Sequence, residues 1–210
     1  MIRFKDLILE KKDPESDTAH FFDMDETLFA HDPKHLRIHV VDPFGNRVRS
    51  LTNQEFNSHQ LPPDHRYDFS EFRSSDVFQR SAHPIRKMIA KLKAIHKNNK
   101  NVEILTARSD LDDKDKFAHH MSKYGIDTAQ IHVRRAGNLA GLKSPQAKAT
   151  VVNDLINREG YKKVHLYDDS PDNLNGFLQL KSAHPDVEFH AHHVQHDPET
   201  GNVTITTRKV

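Results

Sequence analysis

The chain is predicted to be an α/β protein with a mainly parallel sheet, and two observations carry this prediction. Short apolar blocks of strand length alternate with segments in which apolar residues recur at helical spacing. Several of these apolar blocks end at acidic or hydroxyl side chains. Such alternation is typical of parallel strands joined by helices, and open sheets of this type bind ligands at the carboxyl ends of their strands.

Each predicted element follows from its local pattern. Pro84 is suited to a first helical turn, and Gly125 to a left-handed helix end. The turn at 197–202 contains Pro, Gly and Asn, and it predicts a hairpin at the edge of the sheet. In chain order we predict the strand 19–22, a helix after Pro84, the strand 102–105 ending at Thr106, a helix over about 111–124, the strand 131–133, a helix from Lys148 to about Gly160, the strand 164–167, a helix from Ser170 and Pro171, the strand 187–194 and the strand 203–207.

Residues 30–83 interrupt the alternation, and we interpret them as an insertion that forms a small flap or cap. Residues 40–48 place a Pro/Gly/Asn turn between apolar residues, which predicts a β-hairpin. The insertion follows the first strand, so it is expected above the carboxyl ends of the strands. The whole chain, residues 1–210, is therefore interpreted as one domain that carries this insertion.

The composition excludes several classes of protein. Lysine and arginine number 31 against 30 acidic residues, so the formal charge of +1 supplies no general attraction to nucleic acid or to an anionic membrane. The absence of cysteine excludes disulfide scaffolds, thiolate metal sites and cysteine nucleophiles. The segment Met1–Leu9 contains charges, and no stretch of the chain reaches the roughly twenty apolar residues of a membrane span. We therefore expect a cytoplasmic protein.

Two carboxylates, Asp23 and Asp25, follow the first predicted strand, and Thr27 comes two residues later. If the backbone bends there, both carboxylates face one pocket. One is then suited to nucleophilic attack and the other to acid–base chemistry or, through its carbonyl oxygen, to metal binding. A capped turn explains the same residues without any function, because Asp and Thr are common in turns.

A hydroxyl and a cation are expected at the same edge of the sheet. Thr106 ends the strand 102–105, and its hydroxyl and backbone N–H are suited to a phosphate oxygen. Arg108 follows two residues later. A lysine aimed at the strand ends would neutralise phosphate charge and pair with a carboxylate. Of the two candidates, Lys143 and Lys148, we prefer Lys148 because its helix would fix it in place.

Asp168 and Asp169 follow the fourth predicted strand and precede a helix, whose N-terminus favours negative charge. Close to Asp23, they would form a cluster too acidic to persist without a cation. Oxygen ligands at that charge density favour Mg²⁺. Capping of the helix by Asp169 or Ser170 explains one acidic residue but not both.

These residues, in this order and after these apolar blocks, resemble the motifs of the haloacid dehalogenase (HAD) superfamily of phosphohydrolases. Asp23-Met24-Asp25-Glu26-Thr27 resembles the first motif, Thr106 the second, Lys148 the third and Asp168-Asp169 the fourth. The resemblance extends from about residue 19 to residue 180, and the chain is also similar to small HAD proteins encoded by bacteriophages, which would place it in the host cytoplasm. It implies a Rossmann-like three-layer sandwich and Mg²⁺-dependent hydrolysis of phosphomonoesters.

The resemblance also implies a role for each motif residue. Asp23 would attack phosphorus and form an aspartyl-phosphate. Asp25 would protonate the leaving group and then activate the water that hydrolyses the intermediate. The other implied roles are phosphoryl binding by Thr106 and Lys148, Mg²⁺ binding by the carboxylates of Asp23 and Asp169 and the carbonyl of Asp25, orientation of Lys148 by Asp168, and support from Thr27 and Arg108.

A catalytically silent module that binds phosphate or nucleic acid on the same fold is the alternative from another class. Such a module would normally have lost Asp23 or Asp25, and the presence of both favours an enzyme. The substrate is expected to be a nucleotide or a phosphorylated nucleic-acid end. The insertion residues that could meet such a ligand are Arg47, Arg49, His65, Arg66, Tyr67 and Arg73. An ordinary lid with a solvated basic face and an aromatic underside is the better explanation of these residues.

The seventeen histidines have no place in this scheme. The spacing of His190, His192, His193 and His196 resembles a metal site, but neighbouring residues of a strand point to opposite faces. His20 and His165 lie within predicted strands and His119 and His120 on a predicted helix, and none of these four stands at a motif position. We therefore expect no histidine to take part in catalysis.

Overall fold

The computed structural model describes residues 17–98 and 101–210, and the segment Met1–Leu9 lies outside the described residues. The strands of the described part are β1 (Thr18–Phe22), β2 (Phe29–His31), β3 (Ile38–Val41), β4 (Arg47–Leu51), β5 (Arg66–Asp68), β6 (Ala82–Pro84), β7 (Val102–Thr106), β8 (Val133–Arg135), β9 (Lys163–Asp168), β10 (Glu188–His196) and β11 (Val203–Lys209). The helices are α1 (Asn53–Ser58), α2 (Ser75–Ser81), α3 (Arg86–Asn98), α4 (Lys114–Ser122), α5 (Ser144–Glu159) and α6 (Pro171–Gln179). None of these helices is both long enough and apolar enough to cross a membrane.

A central sheet of six strands has the order β11–β10–β9–β1–β7–β8. Its neighbouring strands are parallel except β10 and β11, which form an antiparallel hairpin at one edge. This confirms the predicted α/β class with a mainly parallel sheet. Phe22 of β1 is in register with Ile104 of β7 and Tyr167 of β9. The residues that follow these three positions therefore meet at one edge of the sheet.

Helices pack on both faces of the central sheet. Consecutive residues of a strand point to opposite faces, and β1 shows this clearly. Phe22 belongs to a buried apolar cluster that includes residues of α3 and α4. Phe21 belongs to a second cluster that includes residues of α5 and α6. The two clusters pack against opposite faces of β1 and fix its position. They therefore also fix the position of the residues that follow the strand.

The structure shifts the start of the predicted helix over 111–124. Helix α4 begins at Lys114, because the Asp113 carboxylate accepts a hydrogen bond from the backbone N–H of Lys116 and caps the helix there. The predicted strand 131–133 is also shifted. Ile131 is still part of a turn, in which its N–H donates to the carbonyl of Asp127, so β8 begins at Val133.

Helix α5 starts earlier than the sequence predicts. Ser144 is its first residue, and Pro145 lies in its first turn. Proline lacks a backbone N–H, and in the first turn of a helix that N–H has no helical acceptor in any case. Lys148 is therefore in the second turn rather than at the start. The helix ends at Gly160 as predicted, with the left-handed φ of 73°.

The segment 30–83 forms its own small sheets beyond the end of β1. Strands β2 and β6 pair antiparallel at the base of the segment, and β4, β3 and β5 form a three-stranded sheet. The predicted hairpin at 40–48 is observed as the antiparallel pair of β3 and β4. Ile38, Val40 and Leu51 form its buried apolar cluster, against which Tyr67 and Phe72 pack. The aromatic residues of the segment thus lie partly within its core.

One face of the central sheet carries a stack of rings. The His165 ring centroid lies 4.3 Å from that of His20 and 4.5 Å from that of His190, and the Tyr167 centroid lies 4.1 Å from that of His192. Burial, assisted by neighbouring positive groups, lowers the pKa of His20 and of His192 to about 4 and that of His165 to about 2. His20, His165 and His192 are therefore neutral packing groups at neutral pH.

We expect acid to destabilise the fold through this histidine stack. The unfolded chain takes up protons on histidine near pH 6.5, whereas folded His20 and His192 resist protonation until about pH 4. The free energy of unfolding should therefore fall as the pH decreases through that window, by at most about 1.4 kcal/mol per pH unit for each histidine. Urea unfolding across the window measures this slope.

His20→Phe keeps a ring in the stack and removes one titrating group, so its slope should be smaller than that of the unsubstituted protein. The same substitution at His119, which is exposed on α4, controls for the loss of a histidine. Equal slopes for His20→Phe and the unsubstituted protein would show that the stack does not cause the acid sensitivity.

Candidate functional site

Three parallel strands deliver polar side chains to one edge of the sheet. Asp23 comes directly after β1, Thr106 is the last residue of β7, and Asp168 is the last residue of β9. The backbone N–H of Asp23 donates to the carbonyl of Tyr167 at 2.8 Å, which continues the pairing of β1 with β9 as far as the site. All three polar side chains are buried. These motif residues therefore lie together at the strand ends, as the sequence predicts.

A tight backbone loop follows Asp23 and determines where the next carboxylate lies. The N–H groups of Leu28 and Phe29 both donate to the carbonyl of Met24, and Glu26 has a left-handed φ of 57°. A non-glycine residue in this region is uncommon and is often found at functional sites. The loop turns the chain back on itself, so Asp25 remains beside the strand ends instead of moving away along the chain direction.

Lys148 joins two of the motif carboxylates. Its ammonium nitrogen lies 2.5 Å from Asp23 Oδ1 and 2.7 Å from Asp168 Oδ2, and the lysine side chain is only 2% exposed. Burial alone would lower the pKa of Lys148, but the two carboxylates outweigh it and raise the pKa above its ordinary value. Lys143, the other candidate, is exposed at the start of α5. The second turn of α5 thus places Lys148, and not Lys143, in contact with Asp23.

Asp168 is held by donors on every side. Besides Lys148, the backbone N–H of Ser170 donates to its Oδ1 at 2.9 Å, and the amide of Asn173 donates to both oxygens at 3.0 and 3.2 Å. Ser170 also caps α6. Asp168 is fully buried and both of its oxygens are hydrogen-bonded, so it can orient the Lys148 ammonium. This is the role that the family resemblance implies for it.

Asp23, Asp168 and Asp169 each offer a carboxylate oxygen, and these oxygens lie within 4.8 Å of one another. Burial, reinforced by the neighbouring carboxyls, raises the pKa of Asp23 well above its usual range and that of Asp169 to about 8. A divalent cation among the oxygens would remove this repulsion and restore the ionised carboxylates. An all-oxygen donor set fits Mg²⁺. Both oxygens of Asp168 already accept hydrogen bonds, from Lys148, the Ser170 N–H and Asn173, whereas Lys148 contacts Asp23 through Oδ1 alone. Asp23 and Asp169 would therefore be the carboxylate ligands of such a cation.

Asp25 lies in a different environment from Asp23. Arg108 donates from Nε and Nη2 to its carboxylate at 2.7–3.0 Å, and His31 Nε2 lies 2.7 Å from Oδ1. Burial would raise the pKa of Asp25, but Arg108 and the hydrogen bond from His31 outweigh it and hold the pKa well below its usual range. Asp25 is therefore ionised, and it becomes an effective proton acceptor only when its contacts with Arg108 and His31 loosen, because a lowered pKa makes a carboxylate a weak base.

Residues of the segment 30–83 contact the side chains that surround Asp25. His31 Nδ1 lies 2.9 Å from the Ser81 hydroxyl, so when Nε2 donates to Asp25 the other ring nitrogen accepts from Ser81. The carbonyl of Phe72 accepts from Arg108 Nη1 at 2.9 Å, and the Phe72 ring lies against the guanidinium. The insertion thus fixes the Arg108 side chain.

Two histidines that the sequence does not connect with the site nevertheless contact its residues: His31 contacts Asp25, and His193 Nε2 donates to the backbone carbonyl of Asp169 at 3.0 Å. Neither contact follows from a motif. A short motif names residues that are adjacent in sequence, whereas His31 reaches Asp25 only because the loop after Asp23 turns back. The orientation of His193 follows from alternation, because it points away from the face that holds His192.

The two threonines of the expected site are both fully buried. Thr106 Oγ1 accepts from the backbone N–H of Arg108 at 3.1 Å, which orients the loop after β7. Thr27 Oγ1 has no hydrogen-bond partner among the described residues. Thr106 therefore has its hydroxyl proton available at the edge of the sheet, while Thr27 lies in the loop beneath the carboxylates.

Comparisons of the chain with protein-family models, with curated proteins and with solved structures found no match.

Gly137 supports the loop that carries Arg108. A Cβ atom added to Gly137 would lie 2.1 Å from the carbonyl oxygen of Ala107 and 2.6 Å from the backbone carbonyl carbon of Arg108. The next residue, Asn138, accepts the backbone N–H of Asp110 at 3.0 Å. Glycine is needed here because two backbone segments approach closely.

We expect Gly137→Ala to lower the free energy of unfolding by about 2–3 kcal/mol, because only a backbone shift makes room for the methyl group. Gly176→Ala is the matched control. Its added Cβ would lie 3.1 Å from its nearest neighbour, and alanine is the better helix former, so a change within about 1 kcal/mol is expected. Urea unfolding measures both variants, and equal effects would contradict the close approach at Gly137.

Proposed function

We propose that the chain is a HAD-like, Mg²⁺-dependent phosphomonoester hydrolase that acts through an aspartyl-phosphate. The observation that carries the proposal is a pair of carboxylates with opposite surroundings at the end of β1. Asp23 lies in an acidic cluster with one lysine, and Asp25 lies in a basic environment. Two carboxylates whose pKa values are driven apart are typical of a site that assigns them different chemical roles.

Asp23 is the proposed nucleophile. It is rigidly placed at the end of a buried strand, and Lys148 contacts only one of its carboxylate oxygens. Attack of a carboxylate oxygen on phosphorus forms the aspartyl-phosphate and expels the alcohol of the substrate. Lys148 and Thr106 would bind the phosphoryl oxygens, since they bring a positive charge and a hydroxyl to this edge of the sheet.

Asp25 is the proposed acid–base group. In the second half of the reaction a base takes a proton from the water that attacks the aspartyl-phosphate, and Asp25 is already ionised for this step. Its contact with Arg108 must loosen first, because a carboxylate with a lowered pKa is a weak base. Its acid role in the first half requires the carboxyl to leave Arg108, because an acid must carry a proton before it can donate one. Arg108 and His31 thus control when Asp25 acts.

The carboxylates of Asp23 and Asp169, with the carbonyl of Asp25, would hold the cation. A bound Mg²⁺ supplies charge neutralisation that lets an anionic nucleophile approach an anionic phosphate. Asp168 is the fourth carboxylate of the site and serves Lys148 instead. The proposed substrates are nucleotides or phosphorylated nucleic-acid ends.

The proposal predicts that the protein hydrolyses p-nitrophenyl phosphate with Mg²⁺ and loses this activity in excess EDTA. Asp23→Asn should reduce turnover by at least about a thousandfold, because an amide oxygen is a poor nucleophile. Thermal unfolding of the variant tests whether it remains folded. Asp186→Asn, at an exposed turn, is the control and should retain full activity.

Full turnover by Asp23→Asn, or in EDTA, would contradict the proposed mechanism. Absence of turnover by the pure protein on this substrate, nucleotides, phosphorylated oligonucleotides, sugar phosphates and phosphopeptides would favour a silent binding module instead.

A further inference from the structure

One guanidinium nitrogen beside the proposed site has no hydrogen-bond partner among the described residues. Arg135 is the last residue of β8, at the same edge of the sheet as the motif residues. Its Nη1 is buried and makes no hydrogen bond within the described part of the chain. Buried donors are normally paired, and an unpaired one is destabilising by about 1–3 kcal/mol. The unpaired donor therefore favours a bound ligand beside Arg135.

The sheet register fixes where Arg135 lies. It pairs with Thr106 across the β7–β8 ladder, so the two residues sit side by side at the strand ends. Its guanidinium carbon lies 4.7 Å from the centre of the Phe117 ring, which keeps the side chain on the α4 face. Arg134, its neighbour in the strand, points to the other face and pairs with Glu103 at 2.6 and 2.7 Å.

The charge of Arg135 is also incompletely balanced. Burial and the nearby Arg108 lower the pKa of Arg135, while Asp110 and Asp25 act in the opposite direction. Asp25 is already bound by Arg108, and Asp110 is half-exposed beside Lys114 at 3.6 Å. Two guanidinium groups are therefore close together with one fully engaged carboxylate, and this arrangement favours an additional anion.

The anion that Arg135 would bind is not the phosphoryl group that reacts. Lys148 already contacts the proposed nucleophile, and Thr106 is proposed to bind the same phosphoryl group. Strand β8 is one strand further from β1 than β7 is, a distance of about 4.8 Å. A group held by Arg135 is thus displaced from Asp23 along the edge of the sheet. A planar guanidinium with free donors is the side chain best matched to phosphate oxygens.

We propose that Arg135 binds a second phosphate group, carried by the leaving portion of the substrate, so that the preferred substrates are phosphomonoesters bearing another phosphate. This inference rests on the proposed phosphohydrolase function and makes its substrate class narrower. The second phosphate can be a terminal monoester, as in a nucleoside bisphosphate, or an internal diester, as in a 3′-phosphorylated strand. Both present non-bridging phosphate oxygens to the guanidinium.

The test compares three nucleotides with p-nitrophenyl phosphate, which has no second anion. Thymidine 3′-monophosphate lacks the second phosphate, thymidine 3′,5′-bisphosphate carries it as a monoester, and the 3′-phosphorylated thymidine dinucleotide carries it as a diester. We expect kcat/KM to be at least about tenfold higher for one or both of the last two than for the monophosphate. The better of the two identifies the form of phosphate that is recognised.

Arg135→Gln should abolish this preference and leave turnover of p-nitrophenyl phosphate within about twofold. Arg135→Lys should retain part of it, because the charge remains and the paired donors are lost. Arg134→Lys is the matched control in the same strand and should behave like the unsubstituted protein. If Arg135→Gln fails to fold, Arg135→Lys carries the comparison.

No preference in the unsubstituted protein, or an equal loss on all four substrates in both Arg135 variants, would overturn the proposal. Failure of the proposed function gives a different result, namely no turnover of any substrate. Calorimetric titration with thymidine 3′,5′-bisphosphate then decides about Arg135 separately. Binding that Arg135→Gln weakens at least about tenfold would support the anion site, and no binding, or equal binding, would overturn it.

Discussion

The contact of the buried Lys148 ammonium with Asp23 and Asp168 is the interaction on which the rest of the site depends. It joins α5 to the ends of β1 and β9, which are separate elements in sequence. Removing one partner of a buried ion pair typically destabilises a protein by about 3–5 kcal/mol, because the other charge remains buried and unpaired. Asn173 and the Ser170 N–H complete the shell of Asp168, so the lysine has a fixed direction.

The charges of the site divide into two regions. Around Asp23 the carboxylates outnumber the cations, which raises its pKa and creates a place for a divalent cation. Asp25 is instead surrounded by hydrogen-bond donors, because the Arg108 guanidinium and His31 Nε2 both contact it. This division follows from topology: Asp23 faces β9 and α5, whereas Asp25 faces the loop after β7 and the insertion. Arg135, beyond β7, extends the basic region and supplies the surface proposed for a second phosphate.

Much of this arrangement could be predicted from the sequence, because parallel strands carry residues such as Asp23, Thr106 and Asp168 to a common edge. The contacts of Asp25 could not. They depend on the left-handed Glu26 and on the insertion, neither of which has a periodic signal. Arg135 was missed for a related reason. Its strand has three residues and begins two positions later than its apolar pattern indicates, so the residue at its carboxyl end could not be identified from the sequence.

The central claim is that Asp23 becomes phosphorylated while Asp25 completes the reaction. The direct measurement is mass spectrometry of the Asp25→Asn variant, quenched in acid after mixing with p-nitrophenyl phosphate and Mg²⁺. Because this variant lacks the base that activates water, the account predicts that the protein gains the mass of one phosphoryl group and that peptide fragmentation places it on Asp23. Turnover by the unsubstituted protein with no phosphorylated Asp23 in the variant, or phosphorylation of a different residue, would contradict the account.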